Sequence, residues 1–219
     1  MDEEYMIDNK CALIIIDMQN DFLPGGSLPV PEGDEIIDGI NDLAGYFAQK
    51  GSVILSQDWH PPSHKSFASN HPGKKPLDPI DTPGLGPVLW PDHCVQGTNG
   101  AEFHEQLDVK PAIAIIRKGY HPGIDSYSVF YENDKITSTG LTGFLNELNI
   151  STVFICGLAL DYCCYYSAID ASDDGFEVIF LQDLTRGIDD PIGNIDRALN
   201  ELKKRPSIEL ASANQIFRV

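Results

Sequence analysis

The sequence predicts an α/β protein, a mostly parallel β-sheet with helices on both faces. Three observations predict it. Five short runs, at 11–17, 52–57, 112–117, 151–157 and 176–181, are nearly continuous in apolar and β-branched residues, as doubly covered strands are. Helical patterns alternate with these runs, and such alternation implies parallel crossovers. No repeat, low-complexity tract or clear boundary divides the 219 residues, so 1–219 is expected to form a single domain.

CALIIID (11–17) reads as the first strand, ending at Asp17. A helix follows, started by Pro31 with Glu32, Asp34 and Glu35. Ile36, Ile40, Leu43 and Phe47 form its apolar stripe, and Gly51 stops it. SVILSQ (52–57) is the second strand, with Asp58 just beyond, and AIAIIR (112–117) is the third, followed by Lys118. Helices fit 138–149, 161–174 and 191–204, around strands 151–157 and 176–181, and a last short strand fits within 207–218. Segments 58–101 and 118–137 are rich in Pro, Gly, His and Tyr; loops of such length in a domain are usually functional or disordered, and their aromatic and His content favours function.

Fifteen basic against 33 acidic side chains give a net charge of −18, which argues against binding a phosphate backbone. No run approaches the roughly 20 apolar residues of a membrane span, and no secretory signal core is visible. Five cysteines without zinc-ribbon or CxxC spacing fit a reduced, cytoplasmic setting.

Ligands of open parallel sheets bind beyond the strands' carboxyl ends. Asp17, Asp58, Lys118, Cys163 and Asp183 all fall at such ends in the predicted order. Cys163 lies in VFICGLALDYCC, read as strand, tight turn and helix start, with Asp161 as a candidate N-cap. A thiol there is expected to be drawn toward thiolate by the helix dipole and by a nearby lysine. Free cysteines more often pack as small apolar groups, and this segment alone is compatible with that. Helical phase separates the pair. Leu160, Cys164, Ala168 and Ala171 form a sheet-facing stripe, and Cys163 points about 100° away from it, on the side of Ser167 and Asp170. Asp17 and Lys118 read equally as strand-end groups or as an acid–base partner and a cation beside that thiol. Asp58, His60, His64 and His93 form a mixed carboxylate–imidazole set suited to zinc, iron or manganese, though histidines in a proline-rich loop are often only solvated. His71, His104 and His121 read as solvated.

Asp17 in IIIDMQNDF, DWHPPSHKSFAS, WPDHCVQGT, Lys118 in RKGYHPGIDSYSVF and GLALDYCCYYS together resemble the nicotinamidases (pyrazinamidases) of the isochorismatase-like cysteine hydrolases. The resemblance runs from the first strand to the fifth. It implies a three-layer α/β/α fold of about six mostly parallel strands and a triad of Asp17, Lys118 and Cys163. It implies an oxyanion hole of the Ala159 and Cys163 N–H groups, with a cis peptide before Ala159. It further implies one divalent metal ion, usually zinc with iron or manganese as alternatives, on Asp58, His60 and His93. In some members a residue near the position of His64 is a fourth ligand, and in others that role falls to water, so His64 is the less firmly implied ligand. The implied pocket is Phe22, Trp90 and Tyr127. Leu160 and Cys164 stand where Thr and Val are common, away from the proposed catalytic groups.

The implied activity is deamidation of nicotinamide, and of pyrazinamide, through a cysteine thioester, a step of NAD salvage. Family members are often dimers or larger, so a homo-oligomer is compatible with the resemblance; no nucleic acid or membrane partner is expected. An N-carbamoyl or ureido amidohydrolase would share the triad but not need the metal set. Isochorismate-cleaving members lack the cysteine. A dithiol redox or metal-storage role would leave Asp17 and Lys118 unused, and no phosphate-binding glycine motif follows a strand.

Overall fold

The apolar runs become the strands of one sheet. The computed structural model describes residues 5–216, so the ends of the domain expected over 1–219 lie outside the described residues. The strands are β1 Cys11–Ile16, β2 Ser52–Asp58, β3 Ala114–Lys118, β4 Thr152–Leu158, β5 Glu177–Arg186 and β6 Ile208–Ala211. All pair in parallel, in the order β3-β2-β1-β4-β5-β6. The helices are α1 Ile37–Phe47, α2 Leu141–Glu147, α3 Tyr165–Asp173 and α4 Asn194–Leu202.

Alternate strand residues feed two cores, because successive side chains leave opposite faces of a strand. Leu13, Ile15, Val53 and Leu55 pack with Ile40, Leu43 and Phe47 of α1. Ala12, Ile14, Ile16, Ile54 and Ile155 pack with Leu141 and Leu145 of α2, Ala168 and Ala171 of α3, and Ala198 and Leu202 of α4. This gives three layers, with one long helix on one face and three helices on the other. The described helices include none long and apolar enough to cross a membrane.

Several boundaries differ from the sequence expectation. The first helix begins with a 3₁₀ turn at Gly33–Ile36, and becomes α-helical only at Ile37. α2 and α4 start later than expected because Gly140 and Gly193, just before them, have left-handed backbones (φ 93° and 89°). β5 runs past 181 to Arg186, since its pairing with β4 shifts register between Ile155 and Gly157 and then resumes. The exposed Gln182 and Asp183 interrupt its apolar pattern, which hid the extension. Asp183 therefore lies within a strand and not at its end. Its carboxylate accepts from Ser212 Oγ (2.7 Å) and Ala213 N (3.0 Å), tying β5 to the chain after β6.

The chain steps outward from β1 to β2 and β3, then returns beside β1 as β4 and steps the other way. The switch point thus lies between β1 and β4, where such sheets open a crevice at their carboxyl ends.

Candidate active site

At that crevice four strands deliver one polar group each. Asp17 follows β1, Asp58 and Lys118 end β2 and β3 as register partners, and Cys163 lies five residues past β4. Lys118 is fully buried at their centre. Its Nζ lies 2.8 Å from Asp17 Oδ2, donates to Asp58 Oδ1 (2.5 Å) and Ser126 O (3.0 Å), and reaches Cys163 Sγ at 3.5 Å. Asp17 holds a left-handed backbone (φ 46°), rare for a side chain with a Cβ and common at functional turns. Ser56 fixes it by donating to Asp17 Oδ1 (2.6 Å) and accepting the Asp17 N–H (3.1 Å).

The electrostatics give each group a resting state. Burial opposes the charge on Lys118, but Asp17 and Asp58 outweigh it and hold its pKa well above the usual lysine value. Burial pushes the Asp17 carboxyl up, Lys118 pulls it back, and Asp58 adds to the rise. Burial likewise pushes the Cys163 thiol well up, Lys118 lowers it, and Asp17 and Asp58 raise it further. This corrects the expectation of a favoured thiolate. The thiol is buried between two carboxylates, so it rests protonated and needs a base at the moment of attack.

The turn carrying Cys163 is also not α-helical at first. Residues Leu160–Cys164 form a π-helical turn, with the Cys164 N–H bonded to the Ala159 carbonyl five residues back (3.0 Å). Cys164, Ala168 and Ala171 are fully buried in the core under α3, while Cys163 lines the pocket with 7% exposure. Ser167 and Asp170 face the 129–135 loop, accepting from Val129 N (3.0 Å) and Lys135 Nζ (2.8 Å). The peptide before Ala159 is cis. Asp161 does not cap this helix, because its carboxylate accepts N–H groups from Ile188 and Asp189 instead.

Beside the lysine lies the imidazole cluster. His60 Nδ1–H donates to Gly119 O and His93 Nδ1–H to Pro91 O, both at 2.8 Å, which turns each Nε2 lone pair toward Asp58 Oδ2 at 3.5 and 3.9 Å. Two ligands at about 2.05 Å from a tetrahedral zinc stand about 3.3 Å apart, so this donor set fits a metal ion. Burial works against ionising Asp58, yet Lys118 and then His60 hold its carboxyl well below the usual range. Burial and then His60 hold His93 down to about 4, so it presents a neutral nitrogen. His64 is stacked on His60 (4.3 Å between ring centres), but both of its nitrogens are engaged. Nε2–H donates to Ile124 O (3.1 Å), and Nδ1 accepts from Ser66 Oγ (2.6 Å). Asp17, Asp58 and Cys163 also converge closely enough for a metal, but the Lys118 ammonium already occupies their midst.

The pocket wall joins both clusters. Phe22 packs on His93 (5.5 Å), and Trp90 Nε1–H donates to Tyr127 Oη (3.1 Å), which donates to Gly86 O (2.9 Å). Sequence reasoning missed Tyr162, which stacks edge-on against Trp90 (5.0 Å), and Asp125, a buried lining residue. It also missed Gln19, which brackets the Asp58 backbone by accepting its N–H (2.7 Å) and donating to its carbonyl (2.9 Å). The polar Gln inside IIIDMQNDF was the available signal. Gly119 was missed too. A Cβ there would stand 2.3 Å from His60 Cε1, on a backbone with φ 66°. Gly119→Ala is therefore expected to displace His60 and weaken the binding of an added divalent metal ion by about 10–100-fold in a chelator-competition titration. Unchanged affinity would contradict this account of how His60 is placed.

A buried thiol, ammonium and carboxylate at the switch point of a parallel sheet make this a cysteine-hydrolase type of site. The chain belongs to the isochorismatase family, whose Isochorismatase domain model matches residues 11–205. It is 48% identical to the nicotinamidase of Acinetobacter baylyi, over 94% of both chains. Its fold is similar to that of a nicotinamidase/pyrazinamidase from Acinetobacter baumanii, with a TM-score of 0.90, 45% identity, and coverage of 94% of this chain and 97% of the other. It is also similar to the pyrazinamidase of Pyrococcus horikoshii in complex with zinc, with a TM-score of 0.76, 38% identity, and coverage of 93% and 99%.

Proposed function

We propose that this chain deamidates nicotinamide to nicotinate and ammonia, with pyrazinamide as a second substrate, through a thioester on Cys163. The observation that carries the reading is one pocket lined both by Cys163, backed by Asp17 and Lys118, and by Asp58 and His93, backed by His60. The first set suits attack on a carboxamide, and the second suits a ring nitrogen held through a metal. A ureido amidohydrolase would need only the first.

Asp17 takes the Cys163 proton as sulfur attacks the carboxamide carbon. Its raised pKa makes it a stronger base than an ordinary carboxylate. Lys118 stays charged and stabilises both the emerging thiolate and the Asp17–Asp58 pair. The Ala159 and Cys163 N–H groups hold the oxyanion, a contribution of about 2.7–4 kcal/mol per donor in such sites. Asp17 then gives the proton to the departing ammonia, and activates the water that cleaves the thioester. Asp58, His60 and His93 would hold a divalent metal ion, zinc in preference to iron or manganese, which would supply a Lewis-acid site for the pyridine nitrogen. Phe22, Trp90 and Tyr127 enclose the ring. The five cysteines are all free, in keeping with a reduced cytoplasmic setting.

The test is ammonia release from nicotinamide by the purified protein, before and after chelation and zinc add-back; no release by the zinc-loaded protein would sink the reading. Metal binding carries its own pH signature. Burial lowers the His60 pKa, but Asp58 outweighs this and raises it, so a proton on Nε2 competes with the metal as pH falls. Calorimetry in buffers of different ionisation enthalpy is expected to show proton release on zinc binding, and weaker binding at lower pH. Affinity independent of pH between roughly 8 and 6 would contradict that competition.

A further inference from the structure

Asp161 precedes the nucleophile by two residues and is fully buried, yet its carboxylate serves another stretch of chain. Oδ1 accepts the Ile188 N–H, and Oδ2 accepts the Asp189 N–H and Asn194 Nδ2–H, each at 3.0 Å. The next residue, Tyr162, donates its hydroxyl to Asp190 O at 2.6 Å. A Cβ on Gly187 would stand 3.0 Å from Asp161 Oδ1 and 2.6 Å from Ile195 Cγ1, so the chain passes the carboxylate where only glycine fits. From the other side, Asp189 Oδ1 accepts the N–H groups of Gly193 (2.9 Å) and Ile195 (3.1 Å), fastening the loop to the start of α4.

This fastened loop carries Ile188 into the pocket that holds Cys163. Among the lining residues only Ile188 and Leu28 are half-buried, so these two form its rim. A buried carboxylate is costly without partners, and here two of its three charge-assisted hydrogen bonds go to the segment bearing the rim residue and the third to Asn194 at the start of α4. We propose that Asp161 is a positioning residue that holds the 187–190 loop and, through Ile188, sets the size of ring the pocket accepts. The inference rests on the assignment of the pocket to a pyridine carboxamide. With the carboxamide at Cys163 and the ring nitrogen at the imidazole cluster, ring carbon 5 points away from the edge so held. A substituent there is what Ile188 excludes.

The test compares kcat/KM for 5-methylnicotinamide and nicotinamide, by ammonia release, in the wild type, Ile188→Ala, Asp161→Asn and the double variant. Ile188→Ala is expected to raise the ratio in favour of the methylated ring by about tenfold, the usual scale for one methyl group in an apolar pocket. Asp161→Asn is expected to move the ratio the same way, mainly through the KM for nicotinamide. In the double variant it should add nothing to the effect of Ile188→Ala, because both act through one side chain. Amide hydrogen exchange at Ile188 and Asp189 should quicken in Asp161→Asn.

An unchanged ratio in an Ile188→Ala variant that still turns over nicotinamide overturns the size filter alone. Full additivity in the double variant, or unaltered exchange at 188–189, overturns the role of Asp161. No ammonia release by the wild type overturns the substrate assignment, and the size filter with it.

Discussion

Cys163→Ala is expected to lower kcat/KM for nicotinamide by about 10⁴-fold or more, since removing the nucleophile of a coupled acid–base set leaves only binding and oxyanion stabilisation. Cys164→Ala is expected to retain activity within about threefold and to lower stability by about 1 kcal/mol, the scale of a small cavity in a packed core. The neighbouring residues make this a sharp pair. Cys163 lies 3.5 Å from Lys118 Nζ, whereas Cys164 is fully buried under α3 with Ala168 and Ala171. The raised thiol pKa adds a pH dependence that activity alone does not report. A thiol held protonated reacts slowly with iodoacetamide near neutral pH, and faster only as pH climbs past the ordinary cysteine range. Ammonia release, thermal melting and mass-resolved alkylation check the pair together. Equal loss of activity in both variants would remove Cys163 from its assigned role.

The strand ends were legible because apolar runs and their terminal polar residues are local signals. Asp17 after LIII, Asp58 after SQ and Lys118 after IIR needed only the parallel-sheet rule to be gathered at one edge. Helical phase separated Cys163 from Cys164 although the turn is π-helical, because Cys164, Ala168 and Ala171 keep their common face once α3 begins. What stayed hidden were the partners that come from distant chain. Ser56 on Asp17, Gln19 on the Asp58 backbone and Gly119 under His60 join positions 39 to 59 residues apart, and nothing in a local pattern announces such a bond. Asp161 misled for a related reason. An aspartate just before a helix reads as its cap, but the buried N–H groups of the 188–189 segment offered stronger company.

Replacing Lys118 by methionine should do the most damage to the fold and the chemistry at once. Lys118 is fully buried, and its ammonium answers two carboxylates and the thiol. Removing it leaves Asp17 and Asp58 with uncompensated charge, a loss of about 3–5 kcal/mol when one partner of a buried ionic group is deleted. The sign of the pH effect follows from Asp17. Its carboxyl is already raised by burial, and Lys118 is the strongest influence pulling it down, so the variant's Asp17 rises further. A carboxyl whose folded pKa exceeds its unfolded value binds more protons when folded, so stability is greatest in acid and is lost as pH climbs through the interval between the two. The melting temperature of Lys118→Met is therefore expected to fall more steeply than that of the wild type from mildly acidic to neutral pH. A protonated Asp17 also cannot accept the Cys163 proton, so turnover should be lost at neutral pH even in the folded fraction. Lys118→Arg separates charge from shape, because it keeps the cation but cannot place a single compact ammonium among four acceptors. It should restore much of the stability and little of the activity. Melting curves for Lys118→Met that match the wild type across that pH range would show that the lysine does not hold Asp17 in its ionised form.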